Sequence, residues 1–222
     1  MRRRGARPQR FVRAGMAAPR AERRHGLVFV VSSPSGGGKT TVVSRLRRRI
    51  HQLVRSVSVT TRAPRPGERQ GRDYRFVTRE TFRQLRREGR LLEWARVHGA
   101  WYGTPKHPVL ASLRCGRDVM LSIDVQGARQ VRRALGAQAV LVFLVPPSLR
   151  RLRQRLLGRR TETPTAIRRR LAAARRELAC AAWYDYSVVN DRLEHAVRDV
   201  QAIITAERDR TKGVRRYGAS PD

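Results

Sequence analysis

Apolar positions along the chain fall into four short runs without alternation, as in strands that are buried on both faces. Between these runs, apolar residues recur at helical spacing. The predicted strands are residues 27–32, 119–125, 139–145 and 186–189, and the predicted helices are residues 39–50, a segment that begins after Ser148, residues 163–182 and residues 193–208. Thr163 as N-cap and Pro164 at the first helical position mark the start of the third helix. The alternation predicts an α/β fold with a parallel sheet flanked by helices.

Residues 56–105 break this rhythm. They are predicted to contain a strand at 56–60, a loop at 63–71 rich in proline, glycine and charge, a short β-prone stretch at 74–77, and a helix at 78–88 that Gly89 ends. Residues 26–55 and 106–210 remain as the core. The sequence therefore predicts a small inserted lobe that is mounted on the core and holds a second substrate.

A glycine-rich segment connects the first predicted strand to the first predicted helix. Its residues are Ser33, Pro34, Ser35, Gly36, Gly37, Gly38, Lys39, Thr40 and Thr41. Such a loop points backbone N–H groups at phosphate oxygens, Lys39 adds positive charge, and the Thr40 hydroxyl can ligate magnesium. Ser33 stands where this motif usually has glycine. A strand-to-helix turn without a ligand is the alternative, but the Gly-Lys-Thr ending in this context favours binding of a nucleoside triphosphate.

Net charge is the most unusual feature of the composition. The 222 residues carry a formal net charge of +33, with 3 lysines and 47 arginines. A basic surface attracts nucleic acid. However, the arginines are spread through every segment and aromatic residues make up 6% of the chain, so we favour coding bias toward arginine and do not expect nucleic acid as a specific partner.

The chain ends and the cysteines suggest a cytoplasmic enzyme. Residues 1–25 carry nine arginines and a single acid, which predicts a disordered basic tail rather than a serine-rich transit peptide, and Met16 is a second possible start. Residues 211–222 are predicted to form a C-terminal tail. Cys115 and Cys180 are far apart in sequence, as expected of reduced thiols. Apolar runs are all shorter than the ~20 residues of a membrane span.

Several ordered motifs within residues 26–210 resemble those of guanylate kinases, which transfer the terminal phosphoryl group of ATP to GMP. The motifs are Thr60-Thr61-Arg62-Ala63-Pro64-Arg65-Pro66-Gly67-Glu68, Gly71-Arg72-Asp73-Tyr74-Arg75-Phe76, Leu92-Glu93-Trp94-Ala95, Tyr102-Gly103-Thr104, Ile123-Asp124-Val125-Gln126-Gly127, residues 159–163 and Val189-Asn190-Asp191. The resemblance implies a P-loop NTPase core with an inserted GMP-binding lobe, an arginine-rich lid at about residues 150–170, and Mg²⁺ as the metal that accompanies ATP.

The resemblance also implies which residues bind GMP. Those that match the phosphate-binding set are Arg62, Arg65, Tyr74 and Tyr102, with Glu68 in the same loop, and those that match the guanine-reading set are Ser58, Glu93, Thr104 and Asp124. Guanidinium forks and phenol hydroxyls can satisfy a phosphate dianion. A carboxylate can accept hydrogen bonds from guanine N1–H and the exocyclic amine, a donor pair that adenine lacks. Without the resemblance, a solvated arginine loop would be the usual explanation of Arg62 and Arg65, and a partly buried ion pair with a nearby arginine would be the better explanation of Glu93.

By the same resemblance, arginines of the lid close over the triphosphate. Arg159 and Arg170 match lid positions, and Arg155 is a further candidate. Arg160 stands where the family commonly has glycine, which could stiffen the lid hinge. Asn190 matches a segment near the adenine of ATP, although a turn after a strand would account for it as well.

One departure from the family concerns the metal. The family usually has Asp-Ile-Asp where this chain has Ser122-Ile123-Asp124, so we expect an active enzyme with weaker metal affinity. Three other functions compete with a guanylate kinase. A sugar-phosphate kinase would not need the 60–76 motifs or Glu93, a catalytically silent module would lose the phosphate loop, and a nucleic-acid-binding protein would use the charge.

Overall fold

The computed structural model describes residues 25–50, 52–97, 99–157 and 164–217, without the side chains of residues 164, 166 and 212–217. Predictions for residues 1–24, Arg159, Arg160, Thr163 as an N-cap and residues 218–222 lie outside the described part of the chain. In chain order the elements are β1 (Val28–Ser32), α1 (Lys39–Arg49), β2 (Leu53–Arg55), β3 (Val59–Thr60), β4 (Arg75–Phe76), α2 (Arg79–Arg87), β5 (Leu91–Val97), β6 (Ala100–Pro105), α3 (Lys106–Arg114), β7 (Asp118–Ser122), α4 (Val125–Leu135), β8 (Ala139–Val145), α5 (Leu149–Leu157), α6 (Pro164–Ala179), β9 (Tyr186–Val189) and α7 (Leu193–Tyr217).

The core is a five-stranded parallel sheet in the order β2-β7-β1-β8-β9. The central strand β1 is fully buried on both faces because its side chains alternate between two apolar clusters. Phe29 and Val31 pack with residues of α1 and α7, and Val28 and Val30 pack with residues of α3 and α4. Each such side chain contributes about 1.5–3 kcal/mol by leaving water, so the sheet is held from both sides. The predicted fold class is confirmed.

The inserted lobe is a four-stranded sheet in the order β4-β3-β6-β5, in which β3 and β4 are parallel and the other pairs antiparallel. Helix α2 covers the end of this sheet. Thr78 caps α2 by accepting a hydrogen bond from the Thr81 N–H at 3.2 Å, and Phe82 stacks on Trp101 with ring centroids 6.0 Å apart. The register places Glu93 of β5 opposite Thr104 of β6.

The structure corrects the predicted boundaries in three places. Strand β7 ends at Ser122 rather than at residue 125, because Asp124 caps the helix that follows. The strand predicted at 56–60 shortens to Val59–Thr60, and α7 runs to Tyr217, past both the predicted helix end at 208 and the start of the predicted tail at 211. Strands β2, β5 and β6 and helices α3 and α4 were not predicted at all. Among the described helices, none combines the length and the hydrophobicity that crossing a bilayer requires.

Candidate active site

The glycine-rich segment forms an open loop between the buried strand β1 and the first turn of α1. Gly36 and Gly38 have φ values of +87° and +90°, which favour glycine. The Gly37 N–H donates to the Pro34 carbonyl at 2.8 Å. Gly38 is the N-cap residue of α1 and has no side chain with which to cap it. The N–H groups at the start of α1 are therefore available to an anion, as a phosphate loop requires.

Asn190, at the end of β9, braces this loop from the side. Its amide Nδ2 donates to the Gly37 carbonyl at 2.7 Å, and its backbone N–H donates to the Val145 carbonyl at 2.8 Å. A Cβ atom on Gly38 would lie 2.4 Å from Asn190 Nδ2. The buried amide thus fixes the loop backbone and excludes a side chain at residue 38. This bracing contact is a role that the sequence did not suggest for Asn190.

Lys39 is half-buried in the cleft, and its Nζ donates to the Ile123 carbonyl at 3.0 Å. Burial lowers the pKa of Lys39, while the nearby carboxylates of Asp124, Glu177 and Glu93 oppose that shift. The ammonium group is therefore held at the junction of the phosphate loop and the strand end that leads into α4. It is positioned to face phosphate oxygens placed on the loop.

A cavity of about 320 Å³ lies beside the loop and is lined by residues that include Gly38, Thr41, Arg155 and Asn190. Arg155, on α5, donates from Nη2 to the Asn190 carbonyl at 2.9 Å. Arg155 therefore lies where the sequence prediction requires it, next to the ATP-binding candidates. Arg170 lies on α6 and is partly exposed.

The segment between β3 and β4, together with Tyr102 of β6, carries a cluster of side chains centred on Arg62. Its Nη2 forms a bidentate ion pair with Glu68, at 2.9 Å to each carboxylate oxygen, and its Nε donates to the Tyr102 hydroxyl at 3.2 Å. The guanidinium lies 5.4 Å from the centroid of the Tyr74 ring, and burial raises the pKa of Tyr74. Glu68 also accepts a hydrogen bond from the Arg65 backbone N–H at 2.8 Å. The Arg65 side chain is exposed at the loop. Glu68, Tyr74 and Tyr102 thus all contact Arg62. Arg65 joins this cluster through its backbone N–H, which donates to Glu68.

The buried carboxylate of the lobe is Glu93, which is 3% exposed. The Thr104 hydroxyl donates to Glu93 Oε1 at 2.6 Å across the β5–β6 pair. Burial raises the pKa of Glu93 to about 7, with the negative charge of Asp124 adding to the shift and the Thr104 hydrogen bond and Lys39 opposing it. No ion pair between Glu93 and an arginine occurs in the described part of the chain, so the alternative of a structural Glu93–Arg pair is not supported.

Helix α4 packs against the carboxylate of Glu93. A Cβ atom on Gly127 would lie 2.3 Å from Glu93 Oε2. Gln130, one turn further along α4, bridges the backbone of Trp94, accepting its N–H at 3.1 Å and donating to its carbonyl at 2.7 Å. Asp124 caps α4 by accepting the Gly127 N–H at 2.9 Å. One short segment therefore positions both Asp124 and Glu93.

Sequence reasoning missed Gly127 and Gln130 as positioning residues, and it also missed Glu177. Glu177 is the one carboxylate in the sequence of α6. Burial raises its pKa, while the backbone N–H of Ser35 and the charge of Lys39 oppose the shift. Its isolation in a basic helix is a signal that the sequence contained.

The remaining candidates lie on the other side of the loop. Thr40 is exposed in the first turn of α1 and lines a second cavity together with Ser58, Tyr74 and Ser122. Ser33 is buried at the start of the loop and donates its hydroxyl to the Pro34 carbonyl at 3.1 Å. The structure thus brings the phosphate loop, the Arg62 cluster and the buried Glu93 to one cleft between core and lobe.

A phosphate loop on a parallel sheet, facing a lobe with its own cationic site and buried carboxylate, defines a P-loop nucleotide kinase. The family profile for guanylate kinase matches residues 25–207. This chain belongs to the guanylate kinase family.

Individual relatives give the same result. The guanylate kinase of Dechloromonas aromatica is 49% identical over 181 residues, which cover 82% of this chain and 89% of that protein. The guanylate kinase of Oleidesulfovibrio alaskensis is 50% identical over 183 residues, which cover 82% of this chain and 88% of that protein. The crystal structure of guanylate kinase from Anaplasma phagocytophilum has a TM-score of 0.70 at 36% identity and covers 82% of this chain and 86% of that one.

Proposed function

We propose that the cleft transfers the γ-phosphoryl group of ATP to GMP, giving ADP and GDP, with the residues described above in separate roles. The chain is an enzyme of the family that phosphorylates GMP at the expense of ATP. The loop from Ser33 to Thr40 holds the triphosphate of ATP. The Arg62 cluster holds the phosphate of GMP, and Glu93 reads its base. The observation that supports this division is geometric: the Ile123 carbonyl accepts the Lys39 ammonium at 3.0 Å, and Gly127, four residues further on, packs against Glu93 Oε2, so the loop ammonium and the buried carboxylate lie against one short segment.

The chemistry requires positioning and charge neutralisation rather than covalent catalysis. An oxygen of the GMP phosphate attacks the γ-phosphorus, a new P–O bond forms, and the bond to the β–γ bridging oxygen breaks. The attacking oxygen is already anionic, so no general base is needed. Lys39 and the lid arginines Arg155, Arg159 and Arg170 stabilise the charge that spreads over the transferring group.

Guanine is selected by acceptors placed on the lobe. Glu93 in its ionised form accepts hydrogen bonds from N1–H and the exocyclic amine. Ser58, Thr104 and Asp124 complete the polar edge around the base. Thr104 already donates to Glu93 Oε1 at 2.6 Å, so the carboxylate is oriented before GMP enters. Orientation in advance lowers the entropic cost of binding.

Magnesium fits the phosphate side of the cleft. Thr40 presents an exposed hydroxyl beside the loop, and Asp124 retains Oδ2, which accepts only a 3.3 Å hydrogen bond from Gln126 among the described residues. This donor set suits Mg²⁺, which keeps several waters and takes its other ligands from substrate phosphates. When bound, it would neutralise the β- and γ-phosphate oxygens. In the described residues no cluster of three or more His, Cys, Asp or Glu side chains could hold a metal by itself.

We place this activity in the cytoplasm. Cys115 and Cys180 are both free thiols, as is usual in a reducing compartment. ATP and GMP are the proposed partners.

A coupled assay with ATP, Mg²⁺ and GMP, AMP, CMP or UMP in turn tests the proposal. We expect turnover with GMP that exceeds the others by orders of magnitude, and a preference for another monophosphate would overturn it.

The effect of Ser122 on metal affinity is tested by restoring a carboxylate. With Ser122→Asp we expect the Mg²⁺ concentration for half-maximal activity to fall several-fold, because an acid at this strand end orients the hydrated metal in loop NTPases. Magnesium titration at saturating ATP and GMP measures it, with Ser122→Asn as the control of similar size. An unchanged magnesium requirement in Ser122→Asp would contradict a metal deficit in this chain.

Base recognition should depend on pH through Glu93. Because burial raises its pKa to about 7, the carboxylate is ionised above that pH and gains a proton below it, which removes an acceptor from guanine. We expect affinity to fall about tenfold from pH 8 to pH 6. Guanosine is the ligand to use, since the GMP phosphate itself titrates near pH 6. The Glu93→Gln variant serves as the control and should show no such step, and a flat profile in the unmodified chain would contradict the prediction.

Gly127 offers an indirect test of the same carboxylate. In Gly127→Ala the added methyl group falls 2.3 Å from Glu93 Oε2, so the carboxylate must move. We expect KM for GMP to rise about tenfold or more while KM for ATP changes little. Thermal unfolding separates this effect from damage to the fold, because alanine raises helix propensity by about 1 kcal/mol over glycine. A normal KM for GMP would show that Glu93 is not fixed by α4.

A further inference from the structure

The second cavity beside the phosphate loop is larger than the first, at about 520 Å³, and lies between α1 and the lobe. Arg47 and Arg48 line it from α1, Arg55 lines it from β2, and Arg72 and Asp73 line it from the loop before β4. Four arginines and a single acidic residue therefore line this space. The proposed roles of ATP and GMP use none of these five side chains.

The one carboxylate is already occupied. Asp73 lies 3.6 Å from Arg72 Nε and 4.0 Å from Arg55 Nη1, and its Oδ2 also accepts the Arg69 N–H at 2.9 Å. Within residues 25–50, 52–97, 99–157 and 164–217, neither Arg47 nor Arg48 forms an ion pair. Positive charge in the cavity is thus not balanced by the protein.

One of these arginines is held in place before any ligand arrives. Arg55 donates from Nη2 to the Asp73 carbonyl at 2.6 Å and from Nη1 to the Arg72 carbonyl at 3.1 Å, which holds its guanidinium at the cavity wall. Burial lowers the pKa of Arg47 and the positive charge of Arg55 adds to that shift, while the carboxylate of Asp73 opposes it. An anion placed among the arginines that line the cavity would stabilise their charged forms.

A hydroxyl group completes the wall. Ser122, at the end of β7, lines the cavity. A carboxylate at residue 122 would repel an anion, whereas a serine hydroxyl can donate a hydrogen bond to one. The residue that weakens the expected metal site is therefore compatible with an anion site.

We propose that this cavity binds a small phosphate oxyanion, at a site additional to those for the ATP triphosphate and the GMP phosphate. Several guanidinium groups converging on one space match the charge and geometry of a phosphate better than those of a monovalent halide. The oxyanion can come from inorganic phosphate or from the phosphate of a further nucleotide. Since Ser58 and Tyr74 line both this cavity and the proposed GMP site, the test keeps the GMP site filled.

The experiment titrates inorganic phosphate into the full chain saturated with GMP, Mg²⁺ and a non-hydrolysable ATP analogue, and follows ³¹P line broadening. We expect saturable binding that weakens about tenfold or more in the double variant Arg47→Gln/Arg48→Gln. The matched control is Arg45→Gln/Arg49→Gln, which removes two charges from the same helix where they face Glu194 rather than the cavity. In the control we expect less than about a twofold change. A second arm titrates excess GMP in place of phosphate.

Each outcome decides the proposal. A loss of binding that is confined to the Arg47→Gln/Arg48→Gln variant supports the site. The titration that shows this loss, with inorganic phosphate or with excess GMP, identifies the source of the phosphate. Absence of saturable binding in both arms, or equal weakening in the two double variants, overturns it, since the latter reports only general net charge. Turnover of GMP in the same preparations is measured separately, so failure of the anion site is distinguishable from failure of the proposed reaction.

Discussion

Replacing Lys39 with methionine should lower kcat about 10²–10³-fold while Kd for GMP changes less than about twofold. The ammonium group is half-buried at the end of the phosphate loop, with Nζ 3.0 Å from the Ile123 carbonyl oxygen. In the proposed reaction it faces the transferring phosphoryl group rather than the base of GMP. Methionine fills similar space without the charge. The loss should therefore fall on stabilisation of the transition state.

Steady-state kinetics and direct GMP binding separate these two effects. Lys106→Met is the matched control, because Lys106 is exposed at the start of α3, away from the loop. Its kcat should remain within about twofold of the unmodified chain, as expected for a surface substitution. A normal kcat in Lys39→Met would contradict the assigned role. A loss of GMP affinity as large as the loss of kcat would contradict it as well.

Replacing Glu93 with glutamine should narrow the preference for GMP over AMP by about 10²–10³-fold in kcat/KM. The glutamine carbonyl can still accept the hydrogen bond from Thr104, but its amide group then meets the donors of guanine. A buried donor facing a donor costs far more than the loss of one hydrogen bond. Adenine has no such donor pair, so kcat/KM for AMP should change little.

Parallel assays with GMP and AMP provide the measurement. Glu88→Gln is the control, since Glu88 lies at the exposed end of α2 and contacts Gln84 and Arg90 there. It should leave the ratio of the two substrates unchanged. An unaltered GMP preference in Glu93→Gln would mean that the carboxylate does not read the base.

Much of the core could be predicted because its strands are hydrophobic throughout. The run at 139–145 matches β8 as observed, since a strand buried on both faces leaves a continuous signal. The run at 186–189 matches the bounds of β9, but the prediction that it is buried on both faces was wrong, because β9 lies at the edge of the sheet and Ser187 and Val189 are exposed.

Helices α3 and α4 were missed although their buried residues, among them Val109 and Leu113 in α3 and Ala128 and Val131 in α4, recur at helical spacing. Asp124 looked like the end of a strand, although its side chain is a helix cap.

The candidate active site could be predicted only as far as motifs name residues. Motif spacing identified the loop, Arg62 and Glu93, but not the contacts that orient them. Asn190 against Gly37, and Gly127 against Glu93, join residues that are far apart in the chain. Such pairs arise from the packing of elements, and no local pattern records them.

The segment from Ser122 to Gln130 touches both halves of the cleft, because Ile123 receives Lys39 while Gly127 and Gln130 contact the strand that carries Glu93. Base preference in this enzyme consequently cannot be transferred with the lobe alone. A chimaera that replaced residues 56–105 with the lobe of a kinase for a different monophosphate would pack the new lobe against an α4 that fits the original lobe. A change of acceptor specificity therefore requires exchange of the lobe together with residues 122–130.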